Sequence, residues 1–164
     1  MNRFTAGVLT ISDKGAKGER EDLSGQCLLK LLNKNGFNIV KYAIVPDDEI
    51  IIADTFKEWV DKLNLHLITT TGGTGLTKRD VTPQATLKVI DYTVPGMAEA
   101  MRMESMKITP NAMLSRAIAG VRANSLIINF PGSPKGVEEN FAVILPALCH
   151  GISKLRGDFS DCVV

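Results

Sequence analysis

Short apolar runs rich in β-branched residues alternate along this chain with longer stretches of helical periodicity. Alternation of that kind builds βαβ units, and right-handed crossovers then assemble a mainly parallel sheet. The first run, Ala6-Gly7-Val8-Leu9-Thr10-Ile11, is continuous rather than alternating, as expected of a strand covered on both faces. Ser24 is placed to cap the next helix, where Leu28, Leu31 and Leu32 share a face, and Gly36 is placed to end it. A second strand is expected from Asn38 to Val45. Pro46-Asp47-Asp48 then leads into a helix with Ile52, Phe56, Val60 and Leu63 along one side. A third strand, Leu65 to Thr70, stops at Thr71-Gly72-Gly73-Thr74-Gly75. Thr82-Pro83 has the form of a helix cap followed by a first-turn proline, and that helix is expected to run to Val94-Pro95. A methionine-rich helix over 96–107 follows, then a helix or turn over 111–119, a strand over 125–130, and a last helix over 136–154 with a bend expected at Pro146. The expected architecture is α/β: three layers, a mainly parallel sheet with helices on both faces, in a single domain covering 1–164.

Composition narrows the function classes. The net charge of +1 gives no field of the kind that holds nucleic acid non-specifically, and 5% aromatic content supplies no stacking series for single strands. Cys27, Cys149 and Cys162 are odd in number and form no C-x-x-C pair, which argues against a disulfide framework and a four-cysteine zinc site. A reducing compartment, the cytoplasm, fits best. The first strand begins by about Phe4, leaving no room for a signal peptide, and no run reaches the ~18 apolar residues of a membrane span.

In a parallel sheet the loops that follow the strands gather on one rim, where ligands bind. Here those loops are 12–22, 46–48, 71–82 and 131–135, and most of the unusual chemistry lies in them. Three glycines in Thr71-Gly72-Gly73-Thr74-Gly75 let backbone N–H groups approach an anion, although a tight turn needing positive φ would use them equally. The loop is neither a Walker A nor a G-x-G-x-x-G motif. Lys78 and Arg79 are suited to offset phosphate charge and Asp80 to hold a divalent cation; the competing reading pairs Asp80 with Arg79 or another base. Asp47 and Asp48 share the rim, and one of them is expected to cap the helix that follows. Ser12 and Asp13 begin where the first strand ends, and Ser133 lies in the last rim loop with Lys135. Basic residues in three loops on one rim favour a polyanionic ligand. His66 is expected to be packed, the Met97–Met106 group to be core or subunit interface, and Trp59 carries no inferred role.

Thr70-Thr71-Gly72-Gly73-Thr74-Gly75, followed by Arg79-Asp80-Val81-Thr82-Pro83 and Ala85-Thr86, resembles the signature of the Mog/MoaB-type molybdenum-cofactor family, to which the gephyrin G domain belongs. The resemblance continues in order through Ile11-Ser12-Asp13, Val45-Pro46-Asp47, Leu114-Ser115-Arg116, Ile127-Ile128-Asn129 and Pro131-Gly132-Ser133-Pro134. It implies an adenylyltransferase reaction in which Mg2+ assists transfer of AMP from ATP to molybdopterin with release of pyrophosphate. It implies Asp47 and Asp80 as catalytic carboxylates and metal ligands, and Thr71, Gly72, Gly73, Thr74 and Gly75 as the nucleotide loop. Ser12, Asp13, Ser115, Asn129 and Ser133 would serve molybdopterin. Leu76 stands where the family commonly has a proline or aromatic. The resemblance also implies a homotrimer, with a hexamer as the alternative, and a molybdenum-insertion enzyme as partner. Two other functions stay open: a non-catalytic molybdopterin-binding paralogue, and a nucleotide hydrolase related to the competence/damage-type proteins. The Arg79–Pro83 run favours adenylyl transfer.

Overall fold

The computed structural model describes residues 4–158 and 160, so Cys162 lies outside the described residues. Within them the chain runs β1 (Thr5–Ile11), α1 (Asp13–Ala16), α2 (Leu23–Lys34), β2 (Asn38–Val45), α3 (Glu49–Lys57), β3 (Leu67–Thr71), α4 (Thr82–Val89), β4 (Tyr92–Thr93), α5 (Pro95–Met106), β5 (Ala119–Arg122), β6 (Ser125–Phe130) and α6 (Pro134–Leu155). The strands form one sheet in the order β2-β1-β3-β6-β5-β4. The first four are mutually parallel, while β5 and β4 add an antiparallel edge.

Side chains alternate across the sheet and separate into two cores. Val8, Leu67, Ile128 and Phe130 pack with Leu28 and Leu32 of α2, Met101 of α5 and Phe141 of α6. Leu9, Ile68 and Ile127 face the other way, onto Ile52 and Phe56 of α3 and Ala85 and Val89 of α4. Adjacent strand residues thus point to opposite layers, which is why the strands read as continuous apolar runs. The three-layer α/β expectation holds. Among the described residues no helix is long and apolar enough to cross a membrane.

Several local expectations are corrected. Asp22, not Ser24, caps α2: its carboxylate accepts from the Gly25 amide at 2.8 Å. Thr82 opens α4 without capping it, because its hydroxyl donates instead to the Gly72 carbonyl at 2.9 Å. That helix ends at Val89 rather than near Val94, and Tyr92-Thr93 joins the sheet by pairing with Gly120-Val121. Both β4 residues are exposed, so no apolar pattern announces the strand. The helix or turn over 111–119 resolves into a 3-10 turn, Pro110–Leu114, followed by β5. Two glycine-rich or exposed segments thereby become strands through tertiary pairing, which outweighs local propensity at a sheet edge. The last helix starts at Pro134, capped by Ser133, and continues through Pro146. The methionine group divides: Met101 is buried, whereas Met103 and Met106 are exposed.

Trp59 acquires a role that sequence periodicity hides. Residues Glu58–Lys62 form a π-helical turn after α3. The wider turn buries Trp59 and Val60 and leaves Leu63 exposed, contrary to the uniform helical phase expected. The indole lies over Gly7 of β1, where an added Cβ would come within 2.6 Å of the ring. Gly7 therefore makes room for an aromatic plate against a strand flanked on both sides. Gly7→Ala is expected to cost about 1–3 kcal/mol by overpacking. Urea unfolding measures it, and Trp59→Phe in the same chain should restore part of the loss. An unchanged midpoint for Gly7→Ala would contradict this packing account.

Candidate active site

The parallel strands β1, β2, β3 and β6 bring residues 12, 46, 72 and 131 to one rim. The chain leaves β1 toward β2 and leaves β3 toward β6, so the crevice opens where the winding direction reverses. The glycine loop sits in that crevice and is fixed by close approach. Gly72 has φ +96°, and a Cβ there would lie 2.3 Å from the Ile11 carbonyl oxygen. Gly73 has φ +64°, and a Cβ would lie 2.3 Å from the Thr82 hydroxyl and 3.2 Å from Asp47 Oδ1. These positions need glycine for conformation and for space. Thr71 donates its hydroxyl to the Pro131 carbonyl at 2.7 Å, and the Thr82 amide donates to the Gly73 carbonyl at 3.1 Å.

A cleft of about 560 Å³ opens on one side of this loop, lined among others by Ser12, Asp22, Asp47, Gly72, Gly73 and Asp80. Asp47 and Asp13 grip each other through their backbones: the Asp13 amide donates to Asp47 Oδ2 at 2.9 Å, and the Asp47 amide donates to Asp13 Oδ1 at 3.0 Å. Arg79 closes on the same carboxylate from the glycine-loop side, donating to Asp13 at 2.9 and 2.7 Å. The partner of Arg79 is therefore Asp13 and not Asp80. Asp80 instead accepts from the Thr77 amide and hydroxyl at 2.8 and 2.6 Å. Asp48 takes the capping role, accepting from the amides of Ile50 and Ile51.

These environments separate the carboxylates. Burial pushes Asp47 above the ordinary aspartate range, and the neighbouring charges of Asp13 and Asp80 add to that, against the Asp13 amide and Arg79. Asp13 is held low, chiefly by its hydrogen bonds from Arg79. Burial opposes ionisation of Asp80 most strongly, but Thr77, the Gly75 amide and Arg116 together bring it below the ordinary range. Asp47 and Asp80 line the same cleft, and Asp47 Oδ1 faces the space left by the missing Gly73 side chain. Among the described residues no group of three His, Cys, Asp or Glu side chains is arranged for a metal. Two carboxylates beside a glycine cradle fit Mg2+, which takes one or two protein carboxylates and completes its shell with phosphate oxygens and water.

A second cavity of about 590 Å³ lies on the other side of the loop, lined among others by Thr74, Gly75, Arg102, Ser115, Ser133 and Lys135. Ser133 also caps α6, accepting from the Gly136 amide at 3.1 Å. Asn129 forms part of this wall, but its side chain is fully buried and its polar atoms are occupied. The amide donates to Thr70 and Thr86 at 3.2 and 3.0 Å, and the carbonyl oxygen accepts from the Ile118 amide at 3.2 Å. The expected grouping is thus redrawn. Ser12 and Asp13 stand with Asp47 at the acidic cleft, away from Ser115, Asn129 and Ser133. Thr74 and Gly75 turn to the second cavity while Gly72 and Gly73 face the first.

Sequence reasoning missed two residues. Asp22 accepts from Thr10 at 2.5 Å and Tyr42 at 2.7 Å at the back of the acidic cleft. Burial and this hydrogen bond push the Tyr42 phenol up to about 12. In the sequence Asp22 follows Arg20-Glu21 and looks like surface charge. Arg116 was visible only inside a motif, with no role; it donates to the carbonyls of Gly75 and Asp80 at 2.7 and 2.5 Å. Nothing in its spacing from residue 80 signals that contact. His66, as expected, is packed: its Nδ1 accepts from the Thr5 amide at 3.1 Å and its ring meets Phe4 edge-on.

The carboxylate environments give a pH expectation. With Asp47 shifted up and Asp80 shifted down from 3.8, the order of proton loss on raising pH is Asp80 first and Asp47 later. Just above that value Asp80 is the more ionised of the two. Side-chain carboxyl NMR titration of the free protein measures both. Asp47 titrating below Asp80 would contradict the assigned environments.

A family model described as "Probable molybdopterin binding domain" matches residues 7–150. The chain is 40% identical over 161 residues to a molybdopterin adenylyltransferase of Helicobacter pylori, covering 97% of this chain and 92% of that protein. It is 38% identical over 159 residues to the molybdopterin adenylyltransferase of Escherichia coli K12, covering 93% and 81%. The crystal structure of the molybdopterin biosynthesis enzyme MoaB from Thermus thermophilus superposes with a TM-score of 0.89 at 45% identity, covering 94% of this chain and 98% of that one. This chain belongs to the molybdenum-cofactor biosynthesis family of molybdopterin-binding domains.

Proposed function

We propose that this protein is a molybdopterin adenylyltransferase, transferring AMP from ATP to molybdopterin with release of pyrophosphate. The observation that carries the reading is the glycine-rich wall between two cavities, with the paired carboxylates Asp47 and Asp80 on one side only. A phosphate-to-phosphate transfer needs two anionic substrates brought together, and a cavity on each side of one loop lets them approach from opposite faces. Relatives that share nearly the whole chain carry that name.

In this reading ATP occupies the acidic cleft, with its phosphates toward Gly72 and Gly73, and molybdopterin occupies the second cavity. Ser115 and Ser133 are its hydroxyl partners, and Lys135 lies near its phosphate. Asn129 shapes the cavity floor through its internal hydrogen bonds. Ser12 and Asp13 serve the nucleotide side, Asp13 by holding Asp47 and Arg79. The terminal phosphate oxygen of molybdopterin attacks the α-phosphorus of ATP, the bond to the bridging oxygen breaks, and pyrophosphate leaves with that oxygen. No protein nucleophile is required; alignment and charge neutralisation carry the reaction. Mg2+ held between Asp47, Asp80 and the phosphates would neutralise charge on the nucleotide. Lys78 is an exposed cation on the same loop, while Arg79 is already engaged by Asp13.

We further read the chain as one domain over 1–164, working in the cytoplasm with a molybdenum-insertion enzyme as downstream partner. Homotrimer assembly would use apolar side chains left outward, among them Met103, Met106 and Met113. Sedimentation equilibrium should give a trimer mass; a monomer mass at every concentration would reject the assembly.

The activity is tested with purified protein, ATP, Mg2+ and molybdopterin, following adenylylated molybdopterin and pyrophosphate. Product dependent on all three supports the reading, and ATP hydrolysis without molybdopterin would favour a hydrolase instead. Asp80→Asn should lower kcat by about 10²–10³-fold, as loss of one preorganised charge does, with the fold retained. Near-normal turnover at saturating Mg2+ would remove Asp80 from this role.

A further inference from the structure

We propose that Arg116 is the positioning residue for Asp80, setting the carboxylate of the acidic cleft from a segment whose neighbouring residues Ser115 and Ala117 line the opposite cavity. This inference rests on the adenylyl-transfer reading above.

The segment Leu76–Arg79 between Gly75 and Asp80 is exposed, so packing holds it little. Its two ends are tied by one guanidinium. Arg116 Nε donates to the Gly75 carbonyl at 2.7 Å and Nη2 donates to the Asp80 carbonyl at 2.5 Å. The Arg116 amide adds a third bond, to the Thr74 carbonyl at 3.0 Å. A planar fork bridging two carbonyls fixes direction as well as distance, which a single ammonium does not. Within the loop so closed, the Asp80 amide donates to the Thr77 carbonyl at 3.1 Å and Thr77 returns two bonds to the Asp80 carboxylate. The rotamer of Asp80 thus depends on a loop whose span is set by Arg116.

The other end of the arrangement lies in the second cavity. Ser115, the preceding residue, lines it, and Arg102 of α5, which lines it too, donates to the carbonyls of Ser115 and Ala117 at 3.4 and 3.0 Å. Arg116 is therefore anchored from the molybdopterin side and acts on the nucleotide side. Its guanidinium touches backbone carbonyls and not the acidic cleft, so it is not itself a metal or phosphate ligand.

The test compares Arg116→Met and Arg116→Lys with the unaltered chain. Arg116→Lys keeps the charge and stem and loses the fork, which guards against a variant that does not fold. Calorimetry with α,β-methylene-ATP, which resists adenylyl transfer, reads binding with and without Mg2+. The expected result in both variants is a Mg2+-dependent part of binding weakened by about 10-fold, the scale seen for loss of an outer-shell support, with the Mg2+-independent part unchanged. In steady state kcat should fall by about 10–100-fold while KM for molybdopterin stays within about twofold. A role in stability alone would lower the melting temperature and leave the Mg2+ dependence intact. That outcome, or wild-type kcat and Mg2+ dependence in folded Arg116→Met, overturns the inference. Absence of adenylyl transfer by the unaltered protein would overturn the functional reading instead, and the calorimetry on the variants would still decide the role of Arg116.

Discussion

The site depends on the approach of Gly72 to the end of β1. Its α-carbon lies where any side chain would strike the Ile11 carbonyl, and a Cβ on Gly132 would in turn lie 3.4 Å from Gly72 Cα. Three strand ends are thereby brought together without intervening side chains. Only glycine combines this space with φ +96° at low cost. Everything else on the rim is placed relative to that contact: Thr71 ties to Pro131, Thr82 ties to Gly72, and Asp47 faces the empty side of Gly73.

Because the loop is thin, it divides the rim into two spaces instead of filling it. The side with Asp47 and Asp80 is acidic and controlled by backbone and arginine contacts. Arg79 offsets Asp13, leaving Asp47 as the carboxylate whose burial is least compensated. The other side offers hydroxyls, Arg102 and the Lys135–Glu139 ion pair. Such opposed chemistry across one wall suits two different anionic substrates, one brought with a divalent cation and one without.

The sheet's parallel half was legible in the sequence because its strands are apolar and β-branched: Thr5–Ile11 and Ser125–Phe130, buried on both faces, and Asn38–Val45, an edge strand with no fully buried residue, stand close to where the sequence put them. The antiparallel edge was not, since Tyr92-Thr93 is exposed and Ala119–Arg122 contains Gly120, chosen for its approach to Ile90 and Tyr92. Trp59 was silent because a π-helical turn breaks the helical period that would have placed it. At the rim, the glycines and the two aspartates stood out by residue type alone. Their partners did not, because Asp13 with Arg79, Asp22 with Tyr42 and Arg116 with Asp80 are joined across distant loops. Spacing along the chain carries no information about such pairs. The division between Ser12 and Ser115 likewise required the position of the wall.

In the proposed function two ligands occupy the two sides of the glycine loop at once. Calorimetric titration of molybdopterin into protein already saturated with Mg2+ and α,β-methylene-ATP decides whether they do. The expected result is one molybdopterin bound per chain with the nucleotide analogue retained. Displacement of the analogue by molybdopterin, mole for mole, would show a single shared site and contradict it.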